Sequence, residues 1–161
     1  MADPALTVRF TRLQDDRHRF EYLRPDGTGE ALELETHSML RHDLLHFALE
    51  TEAGLRGSFY GLLAKVGGYR ELILAGADLG GEAAMTERVV GPLQSAVTGD
   101  LDAEAFVARI VEFSEDMDLP PIRWLTADLV ARSAETFRRL EGRWKATPFG
   151  GTMELSFPLP R

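Results

Sequence analysis

Side chains alternate between apolar and polar at both ends of this chain, while apolar spacings of three and four fill the stretch between. Alternation with a period of two marks a half-buried strand, and the longer spacing marks the inner face of a helix. Leu6, Val8 and Phe10 alternate with Thr7, Arg9 and Thr11; Phe20 and Tyr22 share one side of His18 to Leu23; Leu32 and Leu34 alternate with Glu33 and Glu35. Pro25-Asp26-Gly27 separates the second run from the third, with proline presetting φ and glycine accepting a positive one. At the far end Met153, Leu155 and Phe157 alternate with Glu154 and Ser156. Strands at both ends with helices between them argue against a parallel βαβ array.

Five helical segments are expected between these runs. Ser38 can cap a helix to about Thr51, and a shorter piece with Phe59, Leu62 and Leu63 follows. A helix from about Glu82 must kink or restart at Gly91-Pro92, because proline lacks the needed N–H. Asp102 caps the next helix, with Leu101 and Phe106 spaced as a hydrophobic staple. Pro120-Pro121 then opens a last helix carrying Ile122, Leu125, Leu129, Val130, Phe137 and Leu140. Gly142 to Thr147 and Thr152 to Pro158 read as a hairpin around Pro148-Phe149-Gly150-Gly151. The expected fold is α+β: a mostly antiparallel sheet of about five strands, an N-terminal meander plus a C-terminal hairpin, with helices packed on one face. A length of 161 residues and the absence of any linker or repeat make residues 1–161 one domain.

Composition removes several functions. The chain has no cysteine, which excludes disulfides, thiolate metal sites and cysteine nucleophiles. The net charge of −8 opposes phosphate backbones, so nucleic acid is not an expected partner. Arg132, Arg138, Arg139, Arg143 and Lys145 give the last third a basic bias, whereas Asp100 to Asp118 carries seven acidic residues against Arg109 alone. That asymmetry suits a second copy of the chain or two solvated faces, and a homodimer or a small-molecule ligand is the expected partner. Met1-Ala2-Asp3-Pro4-Ala5 has no basic segment followed by an apolar one, and no apolar run approaches the roughly 20 residues of a spanning helix. A cytoplasmic protein with no membrane association is expected.

The chemistry concentrates in Arg41-His42-Asp43-Leu44-Leu45-His46-Phe47-Ala48-Leu49-Glu50. His42, His46 and Glu50 fall four residues apart, so a helix stacks them on successive turns of one face. Two histidines at that spacing can share a divalent metal ion, with Glu50 as an oxygen ligand. The helical wheel sets them, with Asp43 and Met39, opposite Leu40, Leu44, Leu45, Phe47, Ala48 and Leu49, so they face solvent or a cleft. Two features count against a complete site within the helix. His42 and Glu50 are separated by about 12 Å along the axis, and the glutamate that follows the first histidine in zinc proteases is replaced by Asp43. A third ligand must come from His37, His18 or a distant carboxylate. Without one, the segment is an exposed face whose His42 and Glu50 pair with neighbours.

Other motifs carry less. The glycines between Gly54 and Gly81 include no G-x-G-x-x-G after a strand and no Lys-Ser/Thr of a P-loop, and the serines lack a nucleophile elbow. Trp124 and Trp144 read as core or interface. The dipeptide His42-Asp43 is shared with the metal-dependent phosphohydrolases named after it, but those are wholly helical and need an upstream helical histidine, where this chain has His18 in a strand.

Glu35-Thr36-His37-Ser38, the run His42 to Glu50, Phe59-Tyr60-Gly61-Leu62-Leu63-Ala64 and the ending Trp144-Lys145-Ala146-Thr147-Pro148-Phe149-Gly150-Gly151-Thr152-Met153-Glu154-Leu155 resemble a family of small, uncharacterised bacterial proteins. The resemblance implies a bacterial origin and a shared fold, and lends no activity. Three functions stay open: a small binding or regulatory module presenting the His42/His46 face, a metal-dependent hydrolase using His42 and His46 with Asp43 or Glu50 as ligand or general base, and a purely structural role for that helix.

Overall fold

The computed structural model describes residues 2–65 and 67–161. Its elements follow the order β1 (Ala5–Arg12), β2 (Arg17–Leu23), β3 (Gly29–Glu35), α1 (Thr36–Ala53), α2 (Phe59–Lys65), α3 (Tyr69–Ala75), a 3-10 turn (Gly76–Leu79), α4 (Gly81–Ala96), α5 (Ala103–Asp116), α6 (Ala127–Ala146) and β4 (Thr152–Pro158). The class is α+β, with one antiparallel four-stranded sheet ordered β3-β2-β1-β4.

The meander forms as its pattern predicts. Phe10 pairs with Phe20 and Val8 with Tyr22, so the apolar side chains of β1 and β2 share one face. At the β2–β3 turn the Asp26 carboxylate accepts the Thr28 N–H at 2.9 Å, and Gly27 takes a φ of +87°. The opposite face is polar. Arg9 reaches Glu21 on one side at 2.9 Å and Glu154 on the other at 2.7 Å, tying three strands together at the surface. Exposed pairs of this kind contribute little.

The fifth expected strand is absent, and the reason lies in α6. Leu129 or Val130, Ser133, Phe137, Leu140 and Trp144 form one buried stripe at alternating spacings of three and four, which carries the helix through Gly142 to Ala146. Residues 142–146 are therefore helical, and β4 pairs with β1 rather than closing a local hairpin, with Val8 opposite Leu155 and Phe10 opposite Met153. The start of α6 differs as well. Thr126 in an extended conformation accepts the Leu129 N–H, so the helix begins at Ala127 and Pro120-Pro121 stays outside it. In contrast, α4 does not restart at Gly91-Pro92. Pro92 loses one hydrogen bond near the helix end, while Val89, Val90 and Leu93 are fully buried and hold the helix in place.

Glu35, not Ser38, caps α1: its carboxylate accepts the His37 and Ser38 N–H groups at 2.9 and 2.7 Å. Gly54 ends the helix in the left-handed region at φ 69°. Between these ends α1 packs one side on the sheet and α6 and another on α4, so residues 43 to 50 are all buried. A helix wrapped this way shows little amphipathic contrast. No helix among the described residues is long and apolar enough to cross a membrane.

Two stability predictions follow from this packing. Leu44 is fully buried between sheet and helices, so Leu44→Ala should lower the unfolding free energy by about 2–5 kcal/mol in urea melts with the m-value unchanged. Hydrogen bonds from Ser38 and His37 draw the Glu35 carboxyl from 4.5 down to about 2. A depressed folded value means that its contribution is complete above 4.5 and is lost as pH falls towards 2. Glu35→Gln should flatten the dependence of the thermal midpoint on pH across that window, and an unchanged slope would count against the cap.

Candidate metal centre

The polar side of α1 is enclosed by three other helices. Tyr60 of α2 donates its hydroxyl to the Asp43 carbonyl at 2.7 Å, and Tyr69 of α3 donates to Asp43 Oδ2 at 2.7 Å. Gly61 allows α2 to sit there, because a Cβ at that position would meet the Arg56 carbonyl oxygen at 2.0 Å. The turn before α2 is clasped to α4: Glu82 accepts the Gly57 N–H at 2.8 Å, and Ser58 and Thr86 share a hydrogen bond of 2.7 Å. That clasp fixes α4 beside α1 and presents Glu87 to the histidines. The face expected to meet solvent or a cleft is thus mostly interior: Asp43 and Glu50 are 0% exposed and His46 is 1% exposed.

Each imidazole is held by a carboxylate through Nδ1. His42 Nδ1 lies 3.0 Å from Asp43 Oδ1, and His46 Nδ1 lies 2.8 Å from Glu50 Oε2. The second Glu50 oxygen accepts the Tyr60 N–H at 3.0 Å. With the Nδ1 proton given to a carboxylate, the lone pair of a neutral imidazole resides on Nε2. Both Nε2 atoms lie near Glu87: His46 Nε2 is 2.9 Å from Oε1 and His42 Nε2 is 3.9 Å from Oε2. One donor atom from each of His42, His46 and Glu87 lies within 4.8 Å of the others. A tetrahedral ion with bonds of about 2.1 Å keeps its donors roughly 3.4 Å apart, which small side-chain movements here would reach.

Glu50 was expected as the third ligand, and its place in the structure is different. It is spent on His46 Nδ1 and the Tyr60 N–H, a turn away from His42, as the axial separation of i and i+8 requires. Glu87 supplies the convergent carboxylate instead. Its sequence signal is a carboxylate four residues after buried Ala83 and three before buried Val90, on the inner flank of α4. His18 and His37 do not join: His18 is buried in β2 with Nδ1 3.0 Å from the Thr36 hydroxyl, and His37 is exposed at the start of α1.

Burial alone would lower the His46 pKa, but Glu50 and Glu87 on either side raise it to about 9. Burial pushes Glu87 up, and His42 and His46 pull it well below the usual carboxylate range. Burial raises the Glu50 carboxyl, partly offset by His46. Tyr60 and Tyr69 are raised by burial and by Asp43, which keeps both phenols neutral donors. His46 Nε2, despite its 2.9 Å approach to Glu87, is out of line for a hydrogen bond and has no other partner among the described residues.

Phe59 walls one side, its ring 5.5 Å from that of His46 and 6.5 Å from that of His42. Glu87 also borders a cavity of about 300 Å³, lined with Ala84, Arg88 and Leu119. His42 and Glu87 keep 20% and 29% of their side chains accessible, so the cluster is not sealed from solvent.

Tyr69→Phe deletes one of the two hydrogen bonds to the buried Asp43 carboxylate. The expected cost is about 1–3 kcal/mol in chemical denaturation, and a variant as stable as the parent would show that this bond does not hold α3 to α1.

Comparison of the chain with protein-family models, with curated proteins and with solved structures returned no match.

Proposed function

We propose that His42, His46 and Glu87 form a mononuclear divalent-metal centre, and that the protein is a metal-dependent enzyme of hydrolytic type. One observation carries this reading: three donors from two helices converge while each imidazole is oriented at its other nitrogen by a buried carboxylate. Metal-ligating histidines nearly always have such a second partner, which fixes the ring and raises its basicity. Two imidazoles and one carboxylate are the donor set of catalytic zinc sites and of non-haem iron(II) sites, both of which leave positions for water or substrate. A bound divalent ion would supply a Lewis acid and a water with a pKa lowered to about 7. The protein would supply rigid ligands on α1, a more accessible ligand on α4, and Phe59 to exclude bulk water on one side. Glu50 and Asp43 are positioning residues here, because both are spent on the imidazoles and neither has a free oxygen for general-base work.

The same contacts favour a second reading, a small binding or regulatory module without a metal ion, in which His46 is an imidazolium between Glu50 and Glu87. Its weakness is the unaligned His46 Nε2–H, since a buried donor left unsatisfied costs about 1–3 kcal/mol.

Elemental analysis of the purified chain after loading with zinc, manganese or iron(II) separates the two. About one ion per chain is expected for the best-held metal, with at least tenfold weaker binding in Glu87→Ala and Asp43→Asn at unchanged circular dichroism. Hydrolysis of p-nitrophenyl esters or phosphates should appear with the loaded protein and disappear in Glu87→Ala. A parent protein that takes up no stoichiometric metal would leave the module; a metal with no hydrolysis would keep the centre and remove the enzyme.

A further inference from the structure

Away from the histidines, α4 and α5 diverge and leave a groove of about 500 Å³. Its floor is apolar and well covered, with Phe106 at 2% and Ile110 at 5% exposure, while Pro92 and Phe113 form the walls and Phe113 remains 48% exposed. Two cations, Arg88 and Arg109, line the same groove. Neither makes a salt bridge among the described residues. That is notable in a chain with 26 acidic against 18 basic residues, and on a helix, α5, that itself carries Glu104, Glu112, Glu115 and Asp116.

The Arg88 guanidinium is already fixed in place. Its Nη1 donates to Ser114 Oγ at 3.0 Å and to the Pro120 carbonyl at 2.8 Å, and Ser114 is anchored in turn to the Ile110 carbonyl at 2.8 Å. Nη2 and Nε have no protein acceptor among the described residues. A guanidinium held at one nitrogen with the rest of its fork free loses little entropy when it binds an oxyanion. The simplest alternative, a clasp between α4 and the segment after α5, accounts for Nη1 but not for the free edge, nor for Arg109 in the same groove.

We infer that the α4–α5 groove binds one molecule of an amphipathic organic anion, with its oxyanion head on Arg88 and Arg109 and its hydrocarbon body against Pro92, Phe106, Ile110 and Phe113. The volume falls within the roughly 300–1,000 Å³ of small-molecule sites. Charge selects the head, because guanidinium donors make strong, directional bonds to an oxyanion. The apolar floor selects the body, since covering Phe113 and the recessed Phe106 and Ile110 removes hydrocarbon from water. The site does not depend on the metal centre, which is built from α1 and the neighbouring residue Glu87.

Octanoate is a suitable probe, titrated calorimetrically into the full chain below its micelle concentration, with 1-octanol and acetate as the two halves of the ligand. One octanoate per chain is expected, with octanol and acetate each at least tenfold weaker and with resonances of Phe106 and Phe113 shifting on binding. Arg109 is exposed, so Arg109→Gln should keep the fold and weaken octanoate at least tenfold. The titration is repeated after chelation and desalting, and with Glu87→Ala, because a carboxylate can also ligate a metal ion. Binding unaffected by either treatment supports the groove whatever becomes of the metal reading. Binding lost on chelation or in Glu87→Ala would place octanoate on the metal and overturn the groove site. Equal affinity for octanol, no effect of Arg109→Gln, or no binding because a second copy of the chain covers α5 would each overturn it as well.

Discussion

A helix buried on every side cannot carry a carboxylate unless something inside the protein takes the charge, and α1 carries two such carboxylates and an imidazole in its interior. Asp43, His46 and Glu50 have almost no contact with water, so each must find its partners among neighbouring side chains and backbone. That requirement decides where the other helices go. The hydroxyls of Tyr60 and Tyr69 and the N–H of Tyr60 dock α2 and α3 onto α1, and Glu82 and Thr86 clasp α4 to the turn before α2. Apolar packing would tolerate small displacements of these helices, whereas the hydrogen bonds fix their register. The polar network therefore specifies the helical layer as well as the candidate site.

The sheet supplies the rigidity against which this network works. Its inner face, from Leu6 and Val8 to Phe157, is fully covered, and Phe47 and Tyr60 pack on Phe157 at ring distances of 5.8 and 5.5 Å. The helix bearing both histidines is consequently anchored along most of its length, and functional side chains on such an element are held more accurately than on a loop. Glu87, the most accessible of the three donors, stands on α4, the helix that also borders both cavities. His46 is enclosed, whereas His42 and Glu87 keep contact with solvent.

Much of this architecture can be read from residue spacing, and the departures have physical causes. Three strands of the meander and the final strand follow from alternation alone. The extra strand expected at 142–147 does not form because Trp144 extends the buried stripe of α6 by one turn, and burying that ring outweighs the weak helix propensity of Gly142. Likewise Val89, Val90 and Leu93 keep α4 continuous past Pro92. In the site, His42 and His46 are brought together as their spacing requires. Glu50 shares their face but turns to His46 Nδ1, because a straight helix advances too far in two turns for i and i+8 to meet.

The sequence by itself determined the four strands, most of the helices and the pairing of the two histidines, but not α3, since strand and helix periodicity and the i, i+4 relation are properties of neighbouring residues in one segment. Only the tertiary structure decided that these histidines are enclosed, that Asp43 and Glu50 orient them, and that Glu87, more than forty positions after His42, completes the set. No local pattern encodes which helix will lie across α1. That choice arises from the joint burial of several apolar faces and the need to satisfy every polar group trapped between them.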